Sequence, residues 1–236
     1  MTAAALLGWL LAAVPAPPPL CTPPEARRAA AAPIPPQSVV IPADAPGYAL
    51  ALRPSPWGWL HQQHWCVWIE PPAGEGAARQ RAEQWHQAAR EALAIWGELL
   101  QLEVVSDPQA AHVLVHRRRP PLRLSAPEER RASHGRAEWR VQEVERAGEI
   151  RLEPMVTVLV GADQRPAAMA ATLLHELGHA FGLWGHSPHP DDVMAAVPGP
   201  RPSLQLSLRD RSTLDWLLQQ PSLMGQDLRP APTPSR

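Results

Sequence analysis

The sequence predicts a mixed α/β (α+β) fold, and three observations carry that expectation. Strand-like and helix-like segments alternate through the first half of the middle region. Two long β-prone segments then follow each other around Ala147-Gly148, as an antiparallel pair does. The breakers are segregated as well: half of the thirty prolines precede residue 73 and another group follows Pro188, which leaves the middle free to form a twisted mixed sheet.

Each element has its own local reason. His64-Trp65-Cys66-Val67-Trp68-Ile69-Glu70 concentrates aromatic and β-branched residues and stops at Pro71-Pro72, which makes it the first strand. From Ala77 to Leu100, Trp85, Ala88, Ala92, Trp96 and Leu99 recur at three- and four-residue steps, marking a long backing helix with Arg79, Glu83, Arg90 and Glu98 on its other face. Leu102 to Ser106 and His112 to His116 read as two further strands around the turn Asp107-Pro108. Leu124 to Gly135 is charged and reads as a loop. Arg136 to Val144 and Glu149 to Val160 form the antiparallel pair, with Met155 to Val160 apolar enough to be buried on both faces. A helix follows Asp163, because Pro166 suits a first-turn position and Met169 to Phe181 holds no breaker except Gly178. Ser207 with Asp210 makes a capping-box pattern that opens a last helix through Leu214, Leu217 and Leu218.

At 236 residues the chain has room for one ordinary domain, expected over 57–220, and for flanks that pack less. Residues 17–56 read as a Pro/Ala-rich arm or linker that cannot sustain a helix, and 221–236 as a flexible tail. The apolar run Ala3 to Val14 is far short of a bilayer span but fits a secretory leader over 1–16, which predicts export, although no Lys or Arg precedes it. The formal net charge of -1 gives no field for a polyanion or an acidic membrane. Arg117-Arg118-Arg119 therefore reads as a solvated strand exit, not a nucleic-acid patch. The two cysteines, Cys21 and Cys66, are too few for a disulfide framework; both outlast cleavage at Ala16 and can bridge.

His175-Glu176-Leu177-Gly178-His179 is the motif that carries chemistry. Residues four apart on a helix lie about 40° apart on one face, so two imidazoles can reach one metal ion. Glu176 stands beside them as a base without being a ligand. Catalytic zinc takes three protein ligands and keeps a position open, and no Glu follows Glu176, so the remaining donors are His186, His189 and five aspartates. His112 and His116 would share one side of a strand, where a core or surface role outweighs a second metal.

The stretch from His175 to Ser187 resembles the metzincin pattern H-E-x-x-H-x-x-G-x-x-H, and looks most like the small bacterial matrixin-like peptidases. Gly182 holds the glycine position at which the family ends its helix in a left-handed turn. The departure is one residue: His186 stands four places after Gly182, and Gly185 takes the usual histidine's place. Ser187 after His186, and Met194 at Met-turn spacing in Asp192-Val193-Met194, restore the register, with Gly185 free to absorb the insertion. The resemblance covers roughly 57–220 and implies one catalytic zinc on His175, His179 and His186, Glu176 as general base, and Met194 beneath the ligands. It further implies a peptide or protein substrate extended along an edge strand within Arg136 to Val144, and a monomer. Asp191 and Asp192 are turn formers or acceptors for an imidazole N–H. Trp184 is placed to wall the cleft, whereas the loop after Met194 offers only small residues. A latency switch in which Cys21 caps the zinc, as in matrixin proenzymes, lacks that family's flanking residues. The competing expectations are a non-catalytic zinc-binding domain of the same fold and a non-peptide amide hydrolase; retention of Glu176 argues against the first.

Overall fold

A computed structural model describes residues 21–121, 134–146, 148–199 and 201–228. The strands are β1 (Ala26–Ala29), β2 (His64–Ile69), β3 (Gln101–Val104), β4 (Val113–His116), β5 (Gly135–Arg146) and β6 (Glu149–Val160). The helices are α1 (Gly76–Gly97), α2 (Pro166–Ala180) and α3 (Leu208–Leu218). Spatial order in the sheet is β1-β5-β6-β4-β2-β3. The pairs β2–β3, β2–β4 and β4–β6 are parallel, and β5 is antiparallel to both β6 and β1. The mixed sheet and the helices are those of the expected α+β class.

Packing follows from the helical stripe read in the sequence. Trp85, Ala89, Ala92 and Trp96 turn one face of α1 into the core, where they meet Leu173, Leu177 and Phe181 of the α2 region. A buried indole N–H needs an acceptor, and both α1 tryptophans find one in a backbone carbonyl. Trp85 Nε1 donates to Val160 O at 3.1 Å and Trp96 Nε1 to Leu174 O at 3.0 Å. The long helix is thereby pinned to the end of β6 and to the middle of α2. α3 starts as expected, with Ser207 and Asp210 making both halves of a capping box.

The arm departs from expectation. Its prolines bar a helix, but the Pro-free run from Glu25 to Ala32 is long enough for an edge strand, and β1 pairs there with Gln142 to Glu145 of β5. His64–Ile69 is consequently the second strand and not the first. Cys21 and Cys66 form a disulfide that ties the arm to the sheet, so Cys21 has no thiol with which to cap a metal site. Further along, Tyr48, Ala49 and Leu52 are buried.

The Arg triplet behaves as a strand exit: Arg117 pairs with Glu70 and Arg119 with Asp163. No helix among the described residues is long and apolar enough to cross a membrane. The leader at 1–16, most of the loop expected from Leu124, and the end of the tail lie outside the described residues.

Glu153 on β6 is 8% exposed yet ionised. Burial pushes its pKa up, but hydrogen bonds from His112 and Arg146 outweigh burial and hold it at about 2. The backbone N–H of Cys66 donates to His112 Nδ1 at 3.0 Å, which leaves the ring's Nε2–H facing Glu153. His112 is thus a core histidine. A carboxylate with a depressed folded pKa stabilises above its unfolded value and loses that contribution as pH falls toward the folded value. Stability should therefore drop by about 3 kcal/mol through Glu153 between pH 4.5 and about 2. Denaturant titrations of wild type and Glu153→Gln at pH 6 and pH 2.5 check this: the gap between the two proteins should be large at the higher pH and narrow at the lower.

Candidate metal centre

Pro166 opens α2 at its first turn, where its missing N–H costs nothing, and the helix runs unbroken to Ala180. Its last turns present His175 and His179 on one side, with ring centroids 4.8 Å apart. His186 comes back over them, stacked on His175 at 5.3 Å and edge-on to His179 at 4.9 Å. One nitrogen from each ring lies within 4.8 Å of the other two, and His179 Nε2 is 3.2 Å from His186 Nε2. Two nitrogens about 2.1 Å from a tetrahedral zinc stand about 3.4 Å apart, so this spacing suits one shared ion.

The tautomers are held as ligation needs. His175 Nδ1 donates to Val193 O and His179 Nδ1 to Leu183 O, each at 2.7 Å. Both Nε2 atoms therefore turn a lone pair toward the shared point. Burial, the largest influence, lowers the pKa of His175 to about 4 and that of His179 to about 3. Both rings are neutral at pH 7, as ligands must be. Three imidazoles converging on one point, two of them neutral at pH 7, fit a single zinc ion. The acceptors are these backbone carbonyls and not Asp191 or Asp192; of the two expected roles Asp192 takes that of turn former, its N–H donating to His189 O and its carbonyl accepting from Ala195 N–H. Asp192 takes Ser187 Oγ at 2.5 Å and a two-pronged contact from Arg209 at 2.7 and 2.9 Å, which fixes the loop beyond His186.

The return of the chain to His186 rests on two glycines for different reasons. Gly182 has φ +110°, in the left-handed region expected of it. Its N–H donates to His179 O, and Leu183 N–H donates to Gly178 O, so the helix end is capped as the chain reverses. Two tight turns, Trp184 N–H to Gly182 O and Gly185 N–H to Leu183 O, then carry the chain to His186. Gly185 itself does not use positive φ. A Cβ there would sit 2.3 Å from Ala51 O of the arm, so glycine is required for space and not for freedom.

Beyond His186 the register read from the sequence becomes a physical contact. Ser187 N–H donates to Met194 O at 2.7 Å and Ala196 N–H to Ser187 O at 3.1 Å, zipping the ligand loop to the turn. Met194 is fully buried, and its Sδ lies 2.3 Å from where a Cβ on Gly178 would be. The thioether thus occupies the notch left by Gly178, the residue before His179. His189 is exposed and lies outside the cluster of three. His116 faces Glu70 and Trp68, away from it.

Glu176 is 8% exposed, next to His175 on α2. Burial raises its pKa to about 8, against a backbone N–H from Ala137 and the charge of Arg136, which pull it down. A nearby dication would lower it further. Gly135 lets β5 approach this closely, since a Cβ there would lie 2.7 Å from Glu176 Oε1.

Sequence reasoning missed the group that ties these parts together. Asp210, fully buried, accepts Tyr48 OH at 2.9 Å and Met194 N–H at 3.4 Å on Oδ1, and Val193 N–H at 3.0 Å and Ser207 N–H at 2.9 Å on Oδ2. Its capping role was visible in the sequence. Its hold on Tyr48 and on the turn was not. Among the described residues a second metal-like cluster, Cys21, His64 and Cys66, has both its sulfurs in the disulfide. No protein-family model matches the chain, and none of the curated proteins compared with it does.

Asp210→Asn puts an NH₂ against N–H or O–H donors in either orientation of the amide, and should cost about 2–4 kcal/mol in thermal or denaturant unfolding. Tyr48→Phe, which removes a single donor, should cost about 1 kcal/mol. Because Val193 also holds His175, zinc retention in a chelator competition should fall in Asp210→Asn.

Proposed function

We propose that this chain is a zinc-dependent endopeptidase of the metzincin type, close to the matrixin-like peptidases. The observation that carries the proposal is the convergence of His175, His179 and His186 on one point, with the first two fixed as Nδ1–H tautomers and Glu176 adjacent. His175, His179 and His186 would hold the ion. When bound in such a site, zinc supplies polarisation of a carbonyl and acidification of a coordinated water.

The remaining work belongs to the chain's own residues. Glu176 takes a proton from the attacking water and delivers it to the leaving amine, one carboxylate serving as base and then as acid. The Ala137 N–H and the close approach of Gly135 restrict where its carboxylate can point. The substrate lies extended along the outer edge of β5. There β1 covers only Gln142 to Glu145, so the half nearest Glu176 has no strand on that side among the described residues. Backbone hydrogen bonds along such an edge bind a peptide with little regard to sequence. That open edge favours a peptide over a small amide. The disulfide supports export.

Two measurements test the proposal. Purified wild type and Glu176→Ala should each carry about one zinc, while cleavage of denatured casein or a peptide library should fall by about 10²-fold or more in the variant. Cleavage that survives Glu176→Ala sinks the mechanism, and metal-free protein sinks the site. In chelator competition His186→Ala should lose zinc far more readily than wild type, and His189→Ala should match wild type; the reverse order would move the third ligand to His189.

A further inference from the structure

We propose that Trp57, Trp139 and Trp184 form an apolar wall that selects a bulky aromatic or aliphatic side chain on the N-terminal side of the scissile bond, an inference that rests on the peptidase reading. The three indoles come from distant parts of the sequence: the turn after the arm, β5 and the ligand loop. Trp184 lies parallel to the His179 ring, 13° from coplanar with centroids 5.5 Å apart. Trp139 meets Trp184 edge-on at 6.3 Å, and Trp57 meets Trp139 edge-on at 6.2 Å. The row therefore begins on a ligand imidazole and runs outward from it.

All three residues are only partly buried. Beneath them lies a small core of Leu60, Val141, Leu152 and Met224. Covering that core does not require three of the largest side chains with part of each left in water. Contiguous apolar surface beside a reactive centre is where a substrate side chain gains most from burial. The position is held from behind, since Arg53 N–H of the arm donates to Trp184 O at 2.8 Å. The loop after Met194, with Ala195, Ala196 and Val197, offers no comparable surface.

Strand direction assigns the side. β5 begins at Gly135, against Glu176, and reaches Trp139 about 13 Å further on. β1 uses the same outer edge in antiparallel sense. A substrate continuing along that edge in the same sense runs from Trp139 toward Gly135, so the residues it lays near the tryptophans precede the bond at Glu176.

The experiment profiles full-length wild type, Trp139→Ala, Trp139→Phe and Trp57→Ala against a positional peptide library, with circular dichroism to confirm folding. In parallel, fluorescence anisotropy measures binding of two labelled peptides to Glu176→Ala protein, one carrying Leu and one Ala at the selected position. Wild type should prefer Phe, Leu or Met N-terminal to the cut. Trp139→Ala should reduce the ratio of bulky to small at that position about tenfold or more, and Trp139→Phe should restore most of it. If Trp139→Ala does not fold, Trp57→Ala must still lower the ratio while Trp139→Phe stays near wild type. Cleavage with a flat N-terminal profile, or selectivity confined to the C-terminal side, overturns this inference and leaves the peptidase reading standing. No cleavage of any peptide by zinc-loaded wild type overturns both.

Discussion

The fully buried carboxylate of Asp210 is the constraint on which the site depends. A polar side chain removed from water costs free energy unless its oxygens are supplied with donors, and here both are. Those donors belong to three stretches of chain far apart in sequence: Tyr48 in the arm, Val193 and Met194 in the turn, and Ser207 at the start of α3. The cost of leaving any of them unpaired keeps all three in place. Val193 then passes the constraint on, because its carbonyl accepts from His175 Nδ1 and so sets the direction of that ring's Nε2 lone pair.

Close approach of backbones is the second theme. Gly178 lets the Met194 sulfur into the helix surface, and Gly185 lets the arm's Ala51 carbonyl lie against the ligand loop. Interiors are dense enough that one methyl group at either place would displace a neighbour. The arm is consequently part of the site's construction. It pairs with β5, bonds to β2 through Cys21, donates Tyr48 OH to Asp210 and backs the Trp184 loop.

The local pattern was highly legible. The strands at His64 and Glu149, the α1 stripe, Pro166 at the start of α2 and the Ser207 capping box all lie where the sequence put them, because each depends on residues within a few positions of one another. The spacing of His175 and His179 is of the same kind, and so is the turn at Gly182. β1 was missed because a short edge strand has no period of its own; only its partner on β5 makes it a strand. Gly185 reads in the sequence as a source of conformational freedom, whereas in the fold its neighbour across the chain, the Ala51 carbonyl, is the reason for glycine there.

What the sequence by itself determined is therefore whatever helix and strand geometry can propagate over one or two turns: the α+β class, and the placing of His175 and His179 on one helix face with Glu176 beside them. What only the tertiary structure decided are contacts between residues far apart in the chain. Tyr48 reaches Asp210 across 162 positions, and Trp57 meets Trp139 and Trp184 in one row. No local periodicity marks such partners, since their choice is made by which buried polar groups need donors and which apolar faces need covering once the sheet and helices have closed on each other.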